Sequence, residues 1–67
     1  MTKKGDMVKV SADSPVGAAV LKAVSYRGRG AGGDELWEYE VVSAAGKHAR
    51  GRRVEAPAGD VERFRVP

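Results

Sequence analysis

Arginines and lysines in two glycine-containing stretches are the residues best suited to chemistry in this sequence. The stretch 44–53 contains no acidic residue and carries Lys47, Arg50, Arg52 and Arg53. The stretch 27–33 carries Arg27 and Arg29 among its glycines. A guanidinium group donates paired hydrogen bonds to phosphate, and several such groups together neutralise a polyanion. These two stretches predict a contact surface for DNA or RNA.

Tyr26 adds an aromatic ring next to the second stretch, and an exposed ring can stack on a nucleic-acid base. No recognition helix or zinc motif is present in the sequence, so we expect no readout of base sequence. An alternative remains open, because residues 34–40 carry four acids and no base. On a solvated sheet face these acids would pair with the basic residues of a neighbouring strand.

The other polar residues do not form a pattern for catalysis or metal binding. Glu38 and Glu40 lie about 7 Å apart on one strand face, a spacing compatible with acid–base chemistry, but no cleft is expected there. His48 is the only histidine and has no partners at a spacing typical of a triad or a metal site. Gly28, Gly30 and Gly33 match a dinucleotide fingerprint, but a strand follows them instead of a helix. The sequence predicts no enzyme, no cofactor and no metal.

The most strand-like segment is 36–43. Trp37, Tyr39 and Val41 have one parity and the two glutamates the other, so a pleated strand buries the first set and exposes the second. Residues 7–11 predict an earlier strand with Val8 and Val10 pointing inward.

The segment 16–26 allows two interpretations. As a strand it is rich in valine and ends at the glycine stretch. As a helix over 15–26 it begins with Ser14 as a suitable N-cap and Pro15 at the first helical position, and its apolar residues recur with a helix-like spacing. Gly17 and the modest helix propensity of valine favour the strand. The helix would make the fold α+β.

The rest of the chain predicts short elements. Residues 50–56 predict a returning antiparallel strand, which Pro57 to Asp60 interrupt. Residues 60–64 predict one 3-10 turn with Val61 and Phe64 on the same side, and Val66 a last short strand. We expect 1–4 to be a flexible arm and 27–34 a mobile glycine-rich loop.

The order of these motifs resembles small bacterial SH3-like barrels of the Tudor and KOW type. The resemblance rests on four segments: the opening Lys4–Val10, the stretch Gly17–Val24, the strand Tyr39–Val42 and the closing Val54–Phe64. It implies a mostly β fold, a five-stranded barrel over 1–67 with the long loop 27–34 between its second and third strands. Relatives of this kind bind nucleic acid, bind proteins or serve as assembly domains.

Length and composition set the remaining limits. Sixty-seven residues make one domain, and the net charge is +3. The absence of cysteine excludes disulfides, so a small core must be supported by good packing or by association. A protein-interaction or assembly module, acting on a protein partner or as a homo-oligomer, is therefore the alternative function. No membrane span or signal segment is evident, so we expect a cytoplasmic location and no membrane partner.

Overall fold

A computed structural model describes residues 2–44 and 50–66. Four strands and one helix follow in the order β1 (Met7–Val10), β2 (Ala19–Arg29), β3 (Glu35–Ala44), β4 (Arg53–Pro57) and α1 (Ala58–Arg63). The strands form an antiparallel sheet in the order β1-β2-β3-β4. The predicted mostly β fold is confirmed.

The segment 16–26 is largely strand, and the alternative helix over 15–26 is wrong. β2 pairs with β3 from Ala19 to Arg29, and on its other edge it pairs with β1 from Ala19 to Lys22, so much of its backbone is satisfied by neighbouring strands. The residues it buries are Ala19, Leu21 and Ala23. Val20 and Val24 have the opposite parity and are only partly buried, so the helix-like spacing of the valines does not mark one buried face.

The core lies on one face of the bent sheet. The predicted inward residues of β1 and β3 are all buried, and Leu21, Tyr39 and Val41 are at most 1% exposed. From α1, Val61 is buried and the following Phe64 packs against the same cluster, as the sequence predicted. A period of two along each strand and a contact from one short helix therefore build the core.

The hairpin loop between β2 and β3 is shorter than the predicted 27–34, because Arg27 and Arg29 belong to β2. The Gly33 N–H donates to the Gly30 carbonyl at 3.0 Å, and the Gly30 N–H donates to the Asp34 carbonyl at 2.8 Å. With Gly33 at φ +85°, this is a three-residue loop closed by a G1 bulge.

The C-terminal segment covers the outer edge of β1. Ser11 donates its N–H to the Phe64 carbonyl at 2.9 Å, and Val66 donates to the Lys9 carbonyl at 2.8 Å. Only an isolated bridge between Val10 and Arg65 forms where a fifth strand was predicted. The described residues thus form an open four-stranded sheet, and neither a fifth strand nor closure into a barrel is shown. The predicted 3-10 turn is replaced by the six-residue α1.

Residues 2–6 extend the pairing of β1 and β2. The Gly5 N–H donates to the Ala23 carbonyl at 2.7 Å, and the Lys3 N–H donates to Asp6 Oδ2 at 2.9 Å. This turn places Thr2 in the same surface cleft as Glu62 and Arg65, so the first and last described residues lie close together.

The hydroxyl of Tyr39 sits beneath this turn. Burial raises the pKa of Tyr39 above its ordinary value of 10.0, and a hydrogen bond with the Thr2 side chain offsets part of the effect. The fold therefore favours the neutral phenol. No helix in the described ranges is long and apolar enough to cross a membrane.

Candidate nucleic-acid interface

The connection between β3 and β4 ends in a G1 bulge that orders its last residues. Gly51, at φ +85°, donates its N–H to the Val41 carbonyl at 2.7 Å, and the Val41 N–H donates to the Arg52 carbonyl at 2.8 Å. Two residues on the β4 side therefore oppose one on β3. The bulge fixes the backbone of Arg52, and Arg50 lies directly before it. Lys47, predicted for the same surface, lies outside the described residues.

Arg50 and Arg52, named here the basic end, are both exposed. Within residues 2–44 and 50–66, neither forms an ion pair. No acidic residue occurs anywhere in the stretch 44–53 that contains them. Their guanidinium groups are thus available to an external anion without first breaking an internal pair.

Arg53 has an internal partner on the outer face of the sheet. Its Nη1 donates to Glu38 Oε1 at 3.4 Å, and Ser25 Oγ donates to the same oxygen at 3.2 Å. The strand register also places Arg53 opposite Glu40. Glu38 Oε1 therefore accepts hydrogen bonds from the strands on both sides of β3.

Arg27 makes a looser ion pair. Its Nε lies 3.9 Å from Glu55 Oε2, and both side chains are more than half exposed. Because Glu38 and Glu55 are directly opposite each other in the register, Arg27 and Arg53 each offset one of two like charges. The cross-strand pairing described as the alternative to phosphate binding is thus present for these two arginines.

Arg29 closes its own hairpin. Its Nη1 donates to the Gly33 carbonyl at 2.7 Å, and its backbone pairs with Glu35 in the register. Since a guanidinium group has five N–H donors, this single bond leaves most of them available. The arginine is anchored at the end of β2 and does not sit on a free glycine loop.

The structure does not bring the predicted basic residues into one patch. Arg29 lies opposite Glu35 and Arg52 lies opposite Val41, near the two ends of β3. At a rise of roughly 3.3 Å per residue, the two positions are about 20 Å apart along the strand. The basic end and Arg29 are therefore two separate positively charged positions.

Tyr26 has the exposed ring that the sequence predicted. The residue is 52% exposed, and its ring centroid lies 5.6 Å from that of Trp37 with the planes at 59°. Trp37 is buried, and its Nε1 donates to Glu35 Oε1 at 3.3 Å. The two rings make a tilted aromatic contact, and much of the Tyr26 ring remains exposed to solvent.

Sequence reasoning missed an apolar cavity of about 200 Å³ beside β4. Its walls come from the turn 14–16, from β4 and from α1, and its lining includes Val10, Val16, Leu21, Val54, Ala56 and Val61. The alternation of Val54 and Ala56 in β4 was a signal for their inward direction. The turn 14–16 lies across the cavity from β4 because the sheet bends, and no local sequence pattern encodes this bend.

Groups of acidic and histidine side chains that could hold a metal ion are absent from the described part of the chain. The chain matches no protein-family model, and comparisons with curated proteins and with solved structures found no match.

Proposed function

We propose that this chain is a non-catalytic nucleic-acid-binding module whose main phosphate contact is the basic end. The carrying observation is the contrast among the arginines. Arg50 and Arg52 are exposed and have no ion-pair partner in the described residues, whereas Arg27 and Arg53 pair with glutamates on the sheet face. Of the six basic residues predicted from the sequence, we assign the main phosphate contact to Arg50 and Arg52. We add Lys47 because it lies in the same stretch without acidic residues.

Phosphate suits the basic end better than a carboxylate partner of defined shape. A guanidinium fork binds phosphate in a bidentate manner, and a polyanion also gains from the release of its counterions. The net charge of +3 adds attraction at long range. Two arginines flanking one bulged glycine present a local concentration of positive charge in a stretch that contains no acidic residue.

Tyr26 and Arg29 form a second proposed contact near the other end of β3. A base stacks on an exposed ring only when it is unstacked from its neighbours, so this contact favours single strands over duplex. A single-stranded nucleic acid that contacts both the basic end and Tyr26 runs along the sheet from the basic end to the β2–β3 hairpin. DNA and RNA are both accommodated by this chemistry.

The fold that we propose for this module is an SH3-like barrel that is incompletely closed. Support comes from the C-terminal segment, which returns along β1 after a short helix. The apolar cavity between β4 and the turn 14–16 then lies at the gap in the barrel. Relatives with this architecture include nucleic-acid binders, in agreement with the proposed function.

The test is the binding of a fluorescent single strand and its duplex across a salt series. Arg50→Ala/Arg52→Ala is compared with Arg27→Ala/Arg53→Ala, because each variant removes two positive charges. We expect the first variant to bind more weakly and to lower the slope of log K against log salt by up to about 2, since each lost phosphate contact removes up to about 0.9.

The second variant is the charge-matched control, and we expect it to keep most of the wild-type affinity. Equal losses in both variants would show that only net charge matters and would contradict a localised site. Absence of binding to either ligand at low salt would reject the proposed function altogether.

A further inference from the structure

The outer edge of β4 is an open edge of the described sheet. The Arg52 carbonyl accepts a bond from Val41 of β3. Backbone groups alternate in direction along a strand, so those of Val54 and Ala56 also point to β3. Those of Arg53 and Glu55 therefore point away from the sheet, and no strand of the described residues pairs with them.

The opposite edge of the sheet is treated differently. The C-terminal residues 64–66 hydrogen-bond to β1 and cover that edge. On β4 two features oppose pairing with another strand: the charges of Arg53 and Glu55, and the missing N–H of Pro57. The outward backbone groups of Arg53 and Glu55 can hydrogen-bond to another strand, and the two side chains carry one charge of each sign.

The charges on this edge are complementary to themselves. If a second copy pairs antiparallel about a two-fold axis through Val54, Arg53 lies opposite Glu55 of the second copy, and Glu55 lies opposite its Arg53. Both pairs have outward backbone groups, so each exchanges two hydrogen bonds, about four in all. An axis through Glu55 would instead place two like charges face to face.

We propose that two copies of this chain form a dimer by antiparallel pairing of their β4 strands in this register. The outer-face rows then continue from one subunit to the other, with Arg53 between Glu40 of its own β3 and Glu55 of the second copy. On the inner side, Val54 meets its own counterpart next to the apolar cavity, which Val54 also lines. This gives the assembly hypothesis a specific geometry.

A second copy fits this edge better than an arbitrary peptide. A peptide would need an acid and a base at the matching positions, whereas another copy always supplies them. The chain also has a small core and no disulfide, conditions under which association adds stability. The hydrogen bonds across the dimer come from Arg53 and Glu55 and not from Arg50 or Arg52, although Arg52 then lies opposite Ala56 of the second copy. The dimer therefore does not depend on nucleic-acid binding.

Sedimentation analysis from micromolar to millimolar concentration tests the dimer. We expect reversible self-association of wild type, and about tenfold or more weakening in Arg53→Glu and in Glu55→Arg, because each substitution places like charges at both cross-strand pairs. An equimolar mixture of the two variants should associate again. In the mixed dimer, one cross-strand pair keeps its original arginine and glutamate and the other has both signs reversed, so each pair is of opposite sign.

The mixture is the decisive arm because each chain is unchanged between the separate and the mixed samples. A folding defect or a lost internal ion pair would persist in the mixture, whereas a defect of the paired edge is repaired. Monomeric wild type over the whole range would overturn the proposal. So would self-association that both substitutions leave intact, or variants that fail to combine. Nucleic-acid binding is measured on the monomer and is decided separately.

Discussion

The buried phenol of Tyr39 shows how one polar atom shapes the behaviour of a small core. The residue is 1% exposed and its hydroxyl has the Thr2 side chain as a partner. Its raised pKa means that the folded chain holds this proton more tightly than the unfolded chain does. The free energy of unfolding is therefore unaffected below about pH 10, the ordinary tyrosine value, and falls as the pH rises above it.

Tyr39→Phe should remove this alkaline loss of stability. We expect the urea midpoint of wild type to fall as the pH rises above about 10, and that of the variant to fall less, since no buried phenol remains to ionise. Tyr26→Phe is the control, because it removes an exposed phenol and should keep the wild-type decline. An identical decline in all three proteins would show that Tyr39 does not control it.

The buried residues could be predicted from the sequence. The arginines of the candidate site that form ion pairs could not. The alternation of Trp37, Tyr39 and Val41 with Glu38 and Glu40 predicted the inner and outer faces of β3, because strand geometry is local. The pairing of Arg53 with Glu38 depends on the register between β3 and β4, over a separation of 15 residues. Register is set by the Gly51 bulge and by packing, so the sequence left phosphate binding and ion pairing equally open.

At the scale of elements, β2 shows where local patterns mislead. Its valines suggested a helix, but pairing on both edges and burial of Ala19, Leu21 and Ala23 make it a strand. The strand also continues to Arg29, through Gly28, the first of the glycines that predicted a loop. A bulge at Gly28, with φ +95°, allows this extension. The element types were largely predictable, whereas the ends were set by neighbouring strands.

The helix α1 contains a glycine that its conformation does not require. Gly59 lacks a positive φ, and a Cβ built on it meets nothing within 4 Å. We expect Gly59→Ala to raise the free energy of unfolding by about 0.5–1 kcal/mol, because alanine loses less backbone entropy in a helix. Thermal or urea unfolding measures this change.

Gly51→Ala is the matched comparison. It also meets no atom within 4 Å, but it lies at φ +85° in the bulge before β4. We expect it to lower the free energy of unfolding by about 1–2 kcal/mol through backbone strain alone. Equal effects of the two alanines would contradict the conformational difference between these sites.

At the scale of the whole molecule, stability depends on its core, to which residues 2–44 and 50–66 contribute nine buried side chains. A domain of this size retains only about 3–5 kcal/mol of net stability from such a core. Removing one large core side chain costs about 2–5 kcal/mol, which is most or all of this amount. The free energy of unfolding is therefore so small that one defect on the buried face of the sheet removes most of it.

Leu21→Ala should therefore leave the chain largely unfolded in the absence of a ligand. Val20→Ala changes the adjacent residue on the opposite face, and we expect it to cost about 1 kcal/mol or less. Circular dichroism and urea titration distinguish the two outcomes. A folded Leu21→Ala with near wild-type stability would mean that the sheet face is not the main source of stability.

The cleft shared by Thr2, Glu62 and Arg65 suggests a different connectivity for the same fold. A short linker could join the two ends of the chain, and new ends could be opened in the Gly30–Gly33 turn, which the core does not use. In such a circular permutant, the bridge between Val10 and Arg65 would join residues that are closer in sequence than in the natural order. The β2–β3 hairpin would be cut, however, so the two strands with the longest pairing in the sheet would lie at opposite ends of the chain. Their pairing would then require closure of a long loop, so the permutant should fold more slowly than the natural order of strands.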